Sequence, residues 1–167
     1  MLTQVTARHY PLWFVRVLRI SLFTVLIAIA AKIAIPLPGT PVPITTQVLA
    51  VLLAGMTLGP VEGAISVLAY LAGIAIGLPI DAYSLGGAAL VGPTAGYLIG
   101  FFVAAIIAGL AWHAPQRSKL VLNILLGLLA AAVVEVIGTI GLVTVFNGSW
   151  LTAFTKGMLP FIFIDFG

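Results

Sequence analysis

Long, uninterrupted apolar runs restrict the fold of this chain more than any other feature of its sequence. They follow one another from residue 17 to the end of the 167 residues, and only 7% of all residues are charged. A soluble domain carries about 25% charged residues, so this chain has too little polar surface to coat a water-soluble protein. A membrane β-barrel would need apolar and polar residues in alternation, whereas these runs are continuous. The sequence therefore predicts an all-α integral membrane protein in a lipid bilayer.

The runs predict a single membrane domain, residues 1–167, built as a bundle of six transmembrane helices. Gly59-Pro60, Pro79 and Gly92-Pro93 interrupt the apolar sequence, and a proline removes a helical hydrogen bond. The sixth run would be only about 21 Å long as a helix, so we expect it to be truncated relative to a bilayer core of about 30 Å. The predicted spans are 17–35, 44–58, 63–78, 92–112, 120–146 and 154–167.

Basic residues predict the orientation of the bundle. Arg8, Arg16 and Arg19 precede the first span, and Arg117 and Lys119 lie between the fourth and fifth. With six spans both groups fall on the same side, which the excess of basic residues in inner loops identifies as the cytoplasm. The N-terminus is therefore predicted to be cytoplasmic. The loops predicted to face outward are 36–45, 79–91 and 147–153.

The motifs of common enzyme classes do not occur in the sequence. There is no G-x-x-x-x-G-K-[ST] loop for nucleotide phosphates, no H-E-x-x-H for zinc and no G-x-S-x-G nucleophile turn. His9 and His113 stand at predicted span ends, where an interfacial role is commoner than a metal site. The net charge of +3 is too small and too scattered to indicate nucleic acid. We therefore predict no catalysis, no bound metal and no cofactor, and favour binding or transport.

Five ionisable residues bear on the function. Glu62 is expected to meet water or a partner in an inner turn. Asp81 is expected to be solvated in an outward loop, with contact to a ligand as the alternative. Lys32 is expected to reach the outer interface, with attraction of an anionic solute as the alternative. Glu135 falls near the middle of the fifth span, where a charge is costly and functional by default. A protonated Glu135 bound to a neighbouring helix is an equally open alternative. Asp165 lies in the last apolar run, which favours a ligand or a paired lysine.

The segment "PLPGTPVPITTQ", residues 36–47, interrupts the apolar sequence with four prolines. Proline restricts the backbone and donates no hydrogen bond, so this loop is held extended rather than helical. A plain connector would need only a short turn. We therefore predict a lid over the outer mouth of a pocket, with Thr45 and Gln47 entering the second span on its inward face.

Two blocks of sequence resemble the BioY family. Residues 41–80 read "PVPITTQVLAVLLAGMTLGPVEGAISVLAYLAGIAIGLPI", and residues 92–101 read "GPTAGYLIGF". BioY proteins are the biotin-specific substrate-capture (S) components of energy-coupling factor (ECF) transporters. The resemblance implies a six-helix protein of a bacterial or archaeal cytoplasmic membrane that binds biotin from outside. It also implies two kinds of partner, a transmembrane coupling subunit (EcfT-like) and two cytoplasmic ATPases, which would hydrolyse the ATP.

The resemblance also implies functional residues. The family carries Pro-Gly-Asp and then a lysine in its last helix. Here "PFIFID" keeps the acid as Asp165 without the Pro-Gly, and the lysine would fall beyond Gly167. Biotin needs hydrogen-bonding partners for its ureido group and aromatic walls for its rings. The predicted ligand-binding residues are Asp165, Gln47, Thr45, Tyr83, Ser84, Tyr97, Asn147 and Trp150. The residues predicted to dock the coupling subunit are Thr24, Ala28, Ala30 and Ala34.

Three other functions remain open at the level of the sequence. The chain could be an S component for another vitamin, with a similar bundle and a different pocket. It could be an independent proton-coupled carrier that uses Glu135. It could also be a purely structural membrane subunit that binds no ligand.

Overall fold

The computed structural model describes residues 11–161, apart from the side chains of Gln116 and Arg117. Four helical stretches in this part are long and apolar enough to cross a membrane, which confirms an all-α membrane protein. The count of six helices is not confirmed, because residues 11–161 contain five α-helices. These are α1 (Leu12–Lys32), α2 (Gln47–Ala75), α3 (Ala95–Gly109), α4 (Gln116–Val145) and α5 (Trp150–Ala153).

The difference in helix count arises in α2, which folds back on itself at Gly59. The dihedral angles of Gly59 are φ 84° and ψ 174°, outside the helical region, and Pro60 follows. Gln47 and Tyr70 would be about 34 Å apart along a straight helix. Instead, their side chains form a hydrogen bond of 2.9 Å. Helix α2 therefore consists of two antiparallel arms, residues 47–58 and 60–75, joined at the predicted break.

Small residues bring the central helices into close contact. A Cβ atom placed on Gly96 of α3 would lie 2.7 Å from the carbonyl oxygen of Ile137 in α4. One on Gly100 would lie 3.1 Å from the Cα atom of Val134. Gly55 approaches the backbone of α3 in the same way, at Ala105. These three glycines thus pack helices within the subunit, as small residues do in membrane bundles.

Three connecting segments lie together at one end of the bundle. Strands β1 (Ala34–Ile35) and β2 (Ile44–Thr45) pair antiparallel, so that the proline-rich segment forms a hairpin beside α1. The Lys32 ammonium group donates hydrogen bonds to the carbonyl oxygens of Pro79 and Asp81, both at 2.6 Å, and to Ser84 Oγ at 2.8 Å. The expectation that Lys32 simply reaches the interface is therefore wrong, since it ties α1 to the loop that follows α2. Close packing of α3 on α4 brings residues 146–149 to this end as well.

The opposite end of the bundle carries Arg16 and Arg19 of α1 and Lys119 of α4. Arg16 Nε lies 3.3 Å from Glu62 Oε1, and Arg19 Nη1 lies 3.9 Å from Glu62 Oε2. Lys119 Nζ lies 5.4 Å from the centre of the Trp112 ring, which itself covers Gly59. Glu62 thus pairs with two arginines of α1 rather than only meeting water. The charged groups mark the end of the bundle where α2 turns.

Candidate functional site

A cavity opens between the proline-rich hairpin and the helices beneath it. It encloses about 610 Å³ of space between atoms, including the space at its open mouth. Five segments converge on it: the hairpin with the start of α2, the loop after α2, the first turns of α3, the middle of α4 and the last described residue. The lining residues are Val42, Pro43, Ile44, Thr45, Gln47, Val48, Asp81, Ala82, Tyr83, Thr94, Tyr97, Leu98, Phe101, Glu135 and Phe161.

The second half of the proline-rich segment forms one wall of this cavity. Val42 is 4% exposed, and Pro43 is also buried. The backbone N–H of Val42 donates to Thr40 Oγ1 at 3.2 Å, and β2 then leads directly into α2. Proline restricts the conformations open to this segment, so its shape is held by covalent geometry as well as by contacts. The hairpin has the position that was predicted for a lid.

Gln47 is a buried amide on the cavity wall, 3% exposed. Its Nε2 donates to the hydroxyl of Tyr70 at 2.9 Å, and its backbone N–H donates to Thr45 Oγ1 at 3.3 Å. The bond to Tyr70 directs the NH₂ group toward the second arm of α2, and the amide oxygen accepts from Thr45 Oγ1 at 3.5 Å. Tyr70 itself was not predicted as part of the site.

Asp81 organises the loop that follows α2. Its side chain is buried, and its carboxylate accepts from the backbone N–H groups of Tyr83 at 3.1 Å, Leu85 at 3.0 Å and Gly86 at 2.8 Å. Acidic side chains commonly stabilise turns by such bonds to nearby backbone groups. The expectation of a solvated Asp81 is therefore wrong. By holding this turn, Asp81 places Tyr83 against the cavity.

Aromatic residues and one carboxyl group form the deep end of the cavity. Tyr97 is 6% exposed, and its ring lies 5.9 Å from that of Phe161, centre to centre. The Tyr97 ring also packs directly on Gly138 of α4, where a side chain would overlap it. Glu135 of α4 lines the same space and is 2% exposed. Apolar ring surface and a buried acid thus stand together within the bundle.

Four of the predicted ligand-binding residues line the cavity, three do not, and one lies outside the described residues. Thr45, Gln47, Tyr83 and Tyr97 are part of its wall. The Ser84 hydroxyl lies outside the lining and accepts a hydrogen bond from Lys32 instead. Asn147 and Trp150 are exposed and also lie outside the lining. Asp165 falls outside the described residues.

Two lining residues absent from that prediction carried a signal in the sequence. Thr94 and Phe101 share one face of α3 with Tyr97, at the spacing i, i+3 and i+7 of a helix. Extending the prediction along this face would have found both. Asp81 carried no comparable signal, because its burial depends on how its own loop folds.

The residues predicted to dock a partner lie along α1 and β1. Thr24 Oγ1 donates to the carbonyl oxygen of Ser66 in α2 at 3.0 Å, and Ala30 is 6% exposed. Thr24 therefore contacts α2 within the same subunit, and the carbonyl oxygen of Ala30 accepts from Thr46 Oγ1, directly before α2, at 3.2 Å. Ala28 and Ala34 are half-buried. Docking through these four positions stays a prediction.

Comparison with known proteins gives a consistent result. Residues 3–166 match the BioY family. The chain is 42% identical to a probable biotin transporter BioY of Pyrococcus horikoshii, over 87% of this chain and 84% of that protein. It is 34% identical to the biotin transporter BioY of Thermotoga maritima, over 90% and 86%.

A crystal structure of the S-component for biotin from an ECF-type ABC transporter has a similar fold. The TM-score is 0.75 at 28% sequence identity, and the match covers 95% of this chain and 88% of that one. The sequence match and the fold match thus both extend over nearly the full length of this chain. The chain belongs to the BioY family.

Proposed function

We propose that this protein is the biotin-binding S component of an ECF-type transporter. It captures biotin from outside the cell, and partner subunits drive the import. The observation that carries this proposal is the cavity beneath the proline-rich hairpin, which combines a buried amide with aromatic walls. The relatives are named as transporters, in agreement with the prediction that the chain is not an enzyme.

The ligand chemistry agrees with the wall of the cavity. Biotin has a ureido ring with two N–H donors and a carbonyl acceptor, fused to an apolar thioether ring. Gln47 and Thr45 offer the hydrogen-bonding groups, while Tyr97, Phe101 and Phe161 offer apolar ring surface. Specific sites usually combine such apolar walls with a few placed polar groups. Tyr83 then covers the ligand from the outer loop, and Asp165, which lies outside the described residues, contributes as the family resemblance implies.

A six-span topology accompanies this function. The two arms of α2 are separate spans of about 18 Å and 24 Å. Together with α1, α3, α4 and the helix that begins at Trp150, they make six spans. The end with Arg16, Arg19 and Lys119 then faces the cytoplasm, as basic loops do. The cavity opens on the other side. This arrangement places an uptake site on the outer face of a prokaryotic cytoplasmic membrane, with the N-terminus inside.

Partner subunits supply the energy in this proposal. A transmembrane coupling subunit contacts the S component, and two cytoplasmic ATPases bind and hydrolyse ATP. Helix α1 suits this contact because it is the least buried of the four candidate spans. Only 17% of its most apolar 18-residue stretch is buried inside the subunit. Ala28 of α1 and Ala34 of β1 offer small side chains for this contact, whereas Thr24 supports α1 against α2.

Titration of the purified, detergent-solubilised protein with biotin tests the function. Calorimetry should show saturable binding of one biotin per chain, and excess riboflavin or thiamine should not compete. Binding of another vitamin in place of biotin would instead support an S component of different specificity. Purified protein that is folded and binds no vitamin would refute the proposal.

A further inference from the structure

A second concave surface, the α1–α2 groove, runs between α1 and the first arm of α2 on the outside of the bundle. It holds about 390 Å³ of space between atoms, including the space at its open side. Ala30 and Ala50 form its floor and are 6% and 5% exposed. Larger apolar side chains that are partly exposed form its sides: Leu26, Ile29, Leu49 and Leu53. The groove is therefore an apolar channel in the surface that faces lipid.

The α1–α2 groove is aligned with a pair of basic residues, Arg16 and Arg19. Arg19 and Leu26 are two helical turns apart, so their side chains leave α1 in nearly the same direction. Arg19 Nη2 donates to the carbonyl oxygen of Thr57 at 3.3 Å, near the end of the arm that forms the other side of the groove. Arg16 Nε and Arg19 Nη1 lie 3.3 Å and 3.9 Å from the Glu62 carboxylate. The groove and the basic pair thus follow one seam between α1 and α2.

The basic pair lies within the depth of a bilayer rather than at its surface. Arg19 is about 20 Å along α1 from Lys32, which binds the loop after α2 at the other end. A bilayer core is about 30 Å thick, and the first arm of α2, about 18 Å long, also ends short of it. A cation at such a depth is costly without an anionic partner. Two arginines share the one carboxylate of Glu62, so this cluster has one positive charge in excess.

An anionic phospholipid combines the two chemical features that this seam accepts. Its phosphodiester carries one negative charge and suits the paired donors of an arginine. The acyl chains of one leaflet extend about 15 Å, half the thickness of the core, and Leu26 and Ile29 lie about 10 Å and 15 Å from Arg19 along α1. The side chains of Arg16 and Arg19 are 72% and 40% exposed, so a head group can reach them.

We propose that the seam binds one anionic phospholipid, with its phosphate at Arg16 and Arg19 and an acyl chain in the α1–α2 groove. Basic pockets between membrane helices bind anionic head groups in this way. The site is distinct from the biotin cavity, which lies at the other end of the bundle. It is also distinct from Ala28, predicted to dock the coupling subunit, which points about 160° away from Leu26 around α1.

Native mass spectrometry of the purified protein in detergent tests the proposal. The probes are dioleoyl-phosphatidylglycerol and dioleoyl-phosphatidylcholine, which share their acyl chains and differ in net charge. The wild type should retain one phosphatidylglycerol and bind it at least about fivefold more tightly than phosphatidylcholine. Equal retention of the two lipids would overturn the proposal. So would displacement of the bound lipid by an equal concentration of glycerol 3-phosphate, because the groove would then contribute nothing.

Two pairs of variants separate this site from general attraction to the membrane. Arg16→Gln should weaken phosphatidylglycerol binding by about fivefold. Lys119→Gln removes the same charge from the same end of the bundle, on α4, and should leave the binding unchanged; equal weakening by both would overturn the proposal. Ile29→Trp should fill the groove and weaken binding by a similar factor, because the acyl chain loses its van der Waals contacts. Ile140→Trp on α4, 51% exposed against 56% for Ile29, should have no effect.

Biotin binding checks the fold of each variant. It should stay at the wild-type level in all four, because none of the substituted residues lines the cavity. A wild type that prefers phosphatidylglycerol but binds no biotin would refute the proposed function and support this inference. A dimer that Ile29→Trp converts to a monomer without loss of bound lipid would make the groove an interface between copies of the chain, and would overturn the proposal.

Discussion

The Lys32→Met substitution should loosen the loop that follows α2. The Lys32 ammonium group holds three acceptors at 2.6, 2.6 and 2.8 Å, and two of them belong to the backbone at Pro79 and Asp81. Methionine keeps an apolar stem but donates nothing. Because Lys32 is exposed, water can replace part of each lost bond. We therefore take about 0.5–1 kcal/mol per bond, or about 1.5–3 kcal/mol in all.

Hydrogen exchange measures this effect directly. The backbone N–H groups of Tyr83, Leu85 and Gly86 bond to the Asp81 carboxylate, so their exchange reports opening of the turn. In Lys32→Met their exchange should accelerate by about tenfold to 150-fold. Biotin affinity should fall with it, because this loop carries Asp81, Ala82 and Tyr83 of the cavity wall.

A second lysine offers the control. Lys156 lies 5.6 Å from the ring of Phe146 and contributes nothing to the cavity lining. Lys156→Met should leave the exchange of the three amides unchanged, and Lys32→Arg should restore part of their protection. If Lys32→Met exchanged at the wild-type rate, the three hydrogen bonds would not be holding the loop, and the reasoning would be refuted.

Two further substitutions test the reversal between the two arms of α2 and the Gln47 amide on the first arm. Gly59→Ala should destabilise the protein by about 1–3 kcal/mol in thermal unfolding, because Gly59 has φ 84° and a Cβ atom placed on it would lie 3.2 Å from Trp112 Cγ. Gly77→Ala, also at positive φ but with nothing within 4 Å of a Cβ atom placed there, should cost less; equal losses would contradict a role for the Trp112 contact. Gln47→Leu leaves the fully buried Tyr70 without its hydrogen bond, and should cost about 1–3 kcal/mol in stability and weaken biotin binding. Wild-type affinity in this variant would remove Gln47 from the ligand contacts.

Much of the helical arrangement follows from local sequence. Pro60 cannot continue a regular helix, and Gly59 can adopt the positive φ that reverses the chain. The break between the second and third predicted spans was therefore predictable. By hydrogen bonding the two arms form one helix, Gln47–Ala75, because a single residue, Gly59, makes the reversal.

The site was only partly predictable, for a different reason. Thr45, Gln47 and Tyr97 lie close to helix starts, and the sequence places those starts at one end of the bundle. Asn147 and Trp150 lie at the same end but outside the cavity lining. Which way a loop residue faces depends on contacts between distant segments, and these leave no periodic signal. The bonds from Lys32 to residues 79–84 are such contacts, and for this reason the sequence did not reveal them.

Cysteine labelling tests most directly whether biotin occupies this cavity. The chain contains no cysteine, so a single introduced thiol reports one position. Thr94 lines the cavity, whereas Val91, three residues earlier, is 86% exposed and outside it. Saturating biotin should slow maleimide labelling of Thr94→Cys and leave that of Val91→Cys unchanged. Labelling of Thr94→Cys at the same rate with and without bound biotin would contradict the account.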